Sequence, residues 1–321
     1  MRKHSQKIVV GALASIFVLF LPVWAGAAEK FPSRPITFII PFQGGGAATT
    51  TIRYLAPMLE KELGVPFVVV EKPGAGGAVG WRALQSEAPD GYTLGSATKT
   101  LYGATYNTKG KVDYKNFDPL VMITEDHFSV TVNSASPWKN LADFIKSAKE
   151  NPGKVRVGTS GTGSIWHISM MAFNKLAKVE LTHIPFKSGG EAFVAVLGNH
   201  IESTFCSPGD FPGISESKQL KILALGGEKR NPFYPDVPTF RESGVDMVMS
   251  NWRAVMAPKG VPKDRMEILE RAFAKVLKSA QFNEFLKANS MTNDFKGIAE
   301  FRKVYFQDAD IVINYTKSIV Q

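Results

Sequence analysis

Twice along this chain an apolar run that reads as a buried strand breaks into glycines and re-emerges at helical spacing, and no other feature restricts the fold as much. Repeated strand, loop and helix units point to α/β layers with mostly parallel sheets. In the first series Ile36 to Ile40 is the strand and Gly44, Gly45 and Gly46 break it. Ile52, Leu55, Ala56, Leu59 and Leu63 then recur at the period of an amphipathic helix, which Gly64 ends. Phe67 to Val70 makes a second strand, the glycines at 74, 76, 77 and 80 turn into a short helix carrying Trp81 and Leu84, and Tyr92 to Ser96 makes a third strand.

The second series begins after Phe128 to Val132. Asn140 is placed to cap a helix through Phe144 and Ile145, and Pro152 and Gly153 end it. Val155 to Gly158 then runs into Thr159-Ser160-Gly161-Thr162-Gly163-Ser164. Further strands are expected at Thr182 to Pro185, Ile201 to Phe205 and Lys221 to Leu225. The last 60 residues read as largely helical, with Met266, Leu269, Phe273, Val276 and Leu277 on one stripe.

Ahead of these units Arg2, Lys3 and Lys7 precede an apolar run from Ile8 to Leu21 and small residues at Ala25, Gly26 and Ala27, the pattern of an export signal. A spanning anchor needs roughly 20 apolar residues, and this run stops at Pro22. Residues 1–27 are therefore expected to be removed, by cleavage near Ala27 or Ala28, which places the mature chain in the periplasm. About 294 residues remain, more than one ordinary domain of roughly 100–200 residues, so two lobes are expected.

Cys206 is the single cysteine, so no intramolecular disulfide can form and packing must hold the fold. The formal charge of +9 falls to +6 once the three basic residues of the signal are set aside. That balance favours anionic partners. The Lys and Arg are spread along the chain without a nucleic-acid module, which argues against nucleic acid as a partner. The histidines show no metal-binding spacing.

Chemistry concentrates in the two glycine loops, Gln43 to Thr51 and Thr159 to Ser164. The first amides of a helix lack intrahelical partners and sit at the positive end of its dipole, so backbone donors there can hold a carboxylate. Thr49, Thr50, Ser160, Thr162 and Ser164 add hydroxyls. Taken singly, each loop reads equally well as a tight turn with a cap; two in successive series favour binding. Gly74 to Gly80 has a Gly-x-Gly-x-x-x-Gly spacing that resembles a dinucleotide turn, but Pro73 interrupts the strand exit. A hydrolase using Ser160 and His167 lacks the final glycine of the nucleophile elbow and an acid to orient the histidine. His167, one helical turn past the second loop, is placed to brace it.

The order of several segments resembles the periplasmic receptors of tripartite tricarboxylate transporters, the Bordetella uptake gene family. They include Phe31-Pro32-Ser33-Arg34-Pro35-Ile36, Pro41-Phe42 with the glycines after it, and Val70-Glu71-Lys72-Pro73-Gly74-Ala75-Gly76-Gly77. Ala88-Pro89-Asp90-Gly91-Tyr92-Thr93-Leu94, the Ser160 to Ser164 loop with His167, His183-Ile184-Pro185-Phe186-Lys187, Pro235-Asp236-Val237-Pro238-Thr239, Glu242-Ser243-Gly244 and Ala257-Pro258 with Pro262-Lys263 continue the match.

The resemblance implies a type II periplasmic binding fold, two α/β lobes joined by two chain crossings around a ligand cleft. Lobe 1 is expected over 28–129 plus 252–321 and lobe 2 over 130–251, with hinges near Val130 to Asn133 and Ser250 to Arg253. It also implies that backbone amides of both loops hold one ligand carboxylate, and it implies no cofactor and no catalysis. The expected partners are a small organic carboxylate and the membrane subunits of a tripartite transporter, served by a monomer; a sensor role would involve the same binding.

The residues assigned to the ligand are Phe42, Gln43, Gly44, Gly45, Ala47, Ala48 and Thr49 in the first loop and Ser160, Gly161, Thr162, Gly163, Ser164 and His167 in the second, with Lys99, Phe186, Ser207 and Asp210 from other segments. Many relatives carry Asp where this chain has Thr49, a loss that disfavours an amino-acid ligand unless Asp210 substitutes. Lys99 is a candidate partner for a second carboxylate, and Trp166 or Phe42 for an aromatic ring.

Overall fold

The computed structural model describes residues 30–211 and 218–320. The expected export signal and its cleavage site lie outside the described residues. In chain order the elements are β1 (Ile36–Ile40), α1 (Ala47–Leu63), β2 (Phe67–Glu71), α2 (Ala78–Gln85), β3 (Thr93–Thr98), α3 (Thr100–Asn107), β4 (Phe117–His127), β5 (Ser129–Asn133), α4 (Leu141–Glu150), β6 (Arg156–Thr159), α5 (Ile165–Ala177), β7 (Thr182–Pro185), α6 (Gly189–Leu197), β8 (Ser203–Thr204), β9 (Leu220–Leu225), β10 (Ser250–Pro258), α7 (Lys263–Leu277), α8 (Ala280–Ala288), β11 (Asn293–Lys296) and α9 (Ile298–Val320).

These build two sheets, one ordered β11-β4-β10-β3-β1-β2 and the other β7-β6-β8-β5-β9. β1 shows why the first sheet is layered on both sides. Successive strand residues face opposite ways, so Ile36, Phe38 and Ile40 pack with Leu55, Leu59 and Phe273 of α1 and α7, while Ile39 packs with Trp81 and Leu84 of α2. All four are buried, which accounts for the unbroken apolar run. The helical stripe read from Met266 to Leu277 is the buried face of α7. Asn140 caps α4 as expected, accepting from the Asp143 amide at 2.9 Å.

The sheets are mixed rather than mostly parallel. β1 pairs in parallel with β2 and β3, and β6 with β7 and β8, whereas β10 runs antiparallel to β3 and β4, β11 to β4, and β5 to β8 and β9. The reason is the path of the chain. It leaves the first sheet along β4 and returns along β10, so the incoming strand lies beside the outgoing one in the opposite sense. Strand β11, inside the stretch read as helical, extends the same antiparallel edge.

Only Phe128 separates β4 from β5. Its amide donates to the Met249 carbonyl at 3.1 Å and its carbonyl accepts from the Gly226 amide at 2.7 Å, so the outgoing and returning segments are bonded to each other where they cross. The ring is buried, stacked on Phe240 and edge-on to Phe205. The glycines of the Gly74 to Gly80 turn answer to close packing. A Cβ at Gly80 would come within 2.6 Å of the Pro41 Cα, and one at Gly77 within 2.7 Å of the Trp81 ring.

Candidate functional site

Four helix starts or the loops leading to them converge on one small cavity. Gly46, Ala47, Ala48 and Thr49 open α1, Thr98 and Thr100 flank the start of α3, Ser160 stands on the loop before α5, and Ser188 and Gly189 open α6. Gly46 supplies no side-chain cap; the Ala47 amide donates to Asp210, which leaves the Ala48 and Thr49 amides of the first turn for a ligand. Ser188 caps α6 by accepting from the Glu191 amide at 3.3 Å. Phe42 and Trp166 supply aromatic walls, and Asn251, Arg253 and Asp210 form the floor. The cavity holds about 30 Å³, room for a carboxylate or a few waters.

Arg253 is among the residues that sequence reasoning missed. It is 4% exposed and sits between two carboxylates, 2.9 Å from Asp210 Oδ1 through Nη2 and paired with Asp126 through Nη1. Burial pushes its guanidinium down to about 9, which leaves it charged at neutral pH. Asp210 also accepts from Trp166 Nε1 at 3.1 Å and from the backbone of Ser207 at 3.2 Å and of Ala47. Burial raises its carboxyl to about 6, against those donors. Its oxygens are therefore already occupied, so Asp210 is poorly suited to replace the acid absent at Thr49. Thr49 itself is buried, with Oγ1 3.5 Å from the Gln43 carbonyl.

Beyond Phe42 and Ser160 a second, larger pocket of about 560 Å³ opens, shared at those two residues with the first. Gln43, Gly161, Thr162 and Phe186 line it, together with the Pro73 to Gly77 turn. Of the residues assigned from sequence, Phe42, Ala47, Ala48, Thr49, Ser160 and Asp210 line the inner cavity, and Phe42, Gln43, Ser160, Gly161, Thr162 and Phe186 the outer one.

Others support these walls from behind. The Gly44 amide donates to Glu71 Oε2 at 3.0 Å, and Gly45 lies against Gly190. Ser164 caps α5, accepting from the His167 amide at 3.2 Å. Ser207 caps the turn that carries Asp210. His167 braces the loop: its Nδ1 accepts from the Gly163 amide at 3.1 Å. Among the described residues no hydrogen bond joins the His167 imidazole to Ser160.

Lys99 is not brought to either pocket. Its Nζ pairs with Asp308 at 3.1 Å and Glu125 at 3.3 Å, beside a separate pocket that α5 and α9 line. The chain turns from β3 into α3 at Lys99, and at that turn Thr98 and Thr100 line the inner cavity while Lys99 is directed to Glu125 and Asp308. A signal for the missing α6 wall was present in the letters. Ser188-Gly189-Gly190 after the strand Thr182–Pro185 is a third junction of the kind seen twice before.

The His167 ring stacks on His183 with centroids 3.9 Å apart, and His183 Nε2 meets Thr159 Oγ1 at 2.7 Å. Burial, then the neighbouring His167, push the His183 imidazole down to about 4. The unfolded imidazole titrates near 6.5, so between those values the unfolded chain binds the extra proton, and the fold loses stability as pH falls from about 6.5 through about 4. Asp210 opposes this, since its raised carboxyl keeps a proton that the unfolded chain has released between about 4 and 6. The expected result is that His183→Gln flattens the fall in melting temperature between pH 7 and 4.5 relative to the unsubstituted chain. Parallel curves for the two chains would contradict the assignment.

Comparison with known proteins adds a second line of observation. A family model described as the tripartite tricarboxylate transporter family receptor matches residues 51–308. The chain is 32% identical to a Cupriavidus necator protein described as UPF0065 protein in gbd 5'region, over 100% of this chain and 97% of that one. A solved structure described as a periplasmic transporter superposes with a TM-score of 0.84 at 30% identity, covering 89% of this chain and 97% of its own. MatC from Rhodopseudomonas palustris with bound malate superposes with a TM-score of 0.82 at 25% identity, covering 89% and 99%. Among the described residues no helix is long and apolar enough to cross a membrane, and no cluster of three metal-ligating side chains occurs.

Proposed function

This chain belongs to the tripartite tricarboxylate transporter receptor family, and from that premise we propose that it captures a small organic carboxylate in the periplasm and passes it to the membrane subunits of a tripartite transporter without transforming it. The observation that carries the reading is the convergence of the α1 and α6 starts and the Ser160 loop on one cavity, because amides at helix starts grip negative charge by geometry and dipole. The malate bound to MatC supports the ligand class.

In this reading lobe 1 comprises 28–129 with 252–321 and lobe 2 comprises 130–251. The hinge lies at the two crossings, near Val130 to Asn133 and Ser250 to Arg253. The ligand docks on one lobe, and closure adds donors from the other, so the closed state gains affinity that the open state lacks. Arg253 serves as a fixed positive floor whose charge Asp126 and Asp210 balance, which leaves the ligand's carboxylate to the backbone amides.

A thermal-shift series on the mature protein tests the class. Carboxylates are expected to raise the melting temperature with the logarithm of concentration over dissociation constant, with no product formed. A response to sugars alone, or turnover of a bound acid, would defeat the reading.

A further inference from the structure

The geometry points to an aryl monocarboxylate as the ligand, its carboxylate in the inner cavity and its ring in the outer pocket; the inference rests on the carboxylate-capture reading above. The two compartments differ sharply in size. The inner cavity, about 30 Å³, takes a carboxylate and excludes the body of the molecule that bears it. The outer pocket, about 560 Å³ and bordering the inner one at Phe42 and Ser160, is the adjoining space for that body.

What lines the outer pocket favours a flat apolar group. Phe42 and Phe186 contribute aromatic rings to its lining, and Pro41, Pro73 and Pro185 contribute apolar ones. Gly76 lets the Pro73 to Gly77 turn approach the second loop closely, since a Cβ there would lie 2.9 Å from the Thr162 carbonyl oxygen. Phe42 is held edge-on to Trp81, with centroids 5.7 Å apart, so its ring has a set orientation.

The charges favour a single carboxylate. Among the described residues the charged ones that line the outer pocket are Lys187 and Glu191, one of each sign, so these leave no excess of positive charge for a second carboxylate there. Lys99, the other cation considered for that role, is engaged by Glu125 and Asp308 elsewhere. Arg253 is engaged by Asp126 and Asp210. A second carboxylate would therefore leave water for a pocket without a spare cation, while an aromatic ring gains by leaving it.

Isothermal titration of the mature protein with 3-phenylpropanoate, adipate, malate and the neutral 3-phenylpropanamide separates the possibilities. The expected result is 3-phenylpropanoate binding at least tenfold more tightly than either diacid, with the amide silent. Phe186→Ala is expected to weaken 3-phenylpropanoate about tenfold. Phe186→Leu, which keeps the apolar packing on Gly158, is expected to weaken it by a smaller factor in the same direction. Adipate or malate binding as tightly as the aryl acid overturns the inference and leaves carboxylate capture intact. Binding of the amide equal to that of the acid, or silence towards all three acids, overturns the capture reading beneath it.

Discussion

Replacing Arg253 with methionine is expected to destabilise the protein by roughly 3–5 kcal/mol, the cost of leaving buried carboxylates without their counter-charge. Asp126 and Asp210 are 5% and 7% exposed, so water cannot take over the solvation that the guanidinium provides. For a chain of this size that loss corresponds to a fall in melting temperature of about 5–15 °C. Methionine fills much the same volume, so the measured change reports charge more than packing. Adding Asp126→Asn and Asp210→Asn to Arg253→Met is expected to recover most of the loss, because the penalty comes from unpaired charge. Chemical denaturation of the three chains decides it. A single variant within 1 kcal/mol of the unsubstituted protein would show that the buried cluster is not the electrostatic unit described above.

A second large effect is expected at Gly190, where affinity and stability should part company. A Cβ added there would lie 3.0 Å from the Gly45 carbonyl carbon and nearer still to its oxygen, so the α1 loop and the α6 start meet as bare backbone. Gly190 has ordinary helical geometry, and alanine is the better helix former. In the two-lobe reading Gly190→Ala strains a 3.2 Å contact with the Asp210 carbonyl oxygen inside its own lobe, and costs far more when the lobes close on Gly45. Raising the closed state by about 3 kcal/mol would weaken ligand binding on the order of 100-fold, since apparent affinity scales with the population of the competent state. Titration calorimetry reads the affinity, and small-angle scattering reads whether ligand still compacts the protein. An unchanged affinity would mean that the lobes do not meet in this way during capture.

Legibility in the sequence followed the range of the interaction that sets each feature. β1, the Ser160 to Ser164 loop, the α4 cap and the α7 stripe depend on neighbours within a few positions, and all were readable. So were the two glycine junctions, because a broken strand followed by helical spacing is a local pattern. Arg253 and Asn251 were not, because they reach the pocket through β10, whose place between β3 and β4 depends on pairing with strands more than a hundred residues away. Alternation says that Asn251 and Arg253 share a side of that strand and Ser250 faces the other; which side meets the cavity is set by the fold. Lys99 illustrates the same limit at the β3–α3 junction. The mixed sheet order was hidden for a related reason, since strand direction on re-entry depends on where the chain comes back and leaves no mark in local composition.

The single-residue passage at Phe128 carries a consequence for how such chains can diversify. Residues 129–249 depart and rejoin at points one hydrogen bond apart, Phe128 amide to Met249 carbonyl at 3.1 Å, and much of the outer pocket wall lies inside that span. The span is thus a cassette. Grafting the corresponding piece of a relative between the same two points would transplant part of the pocket wall while leaving the six-stranded scaffold unopened, provided that the graft supplies an aspartate for Arg253.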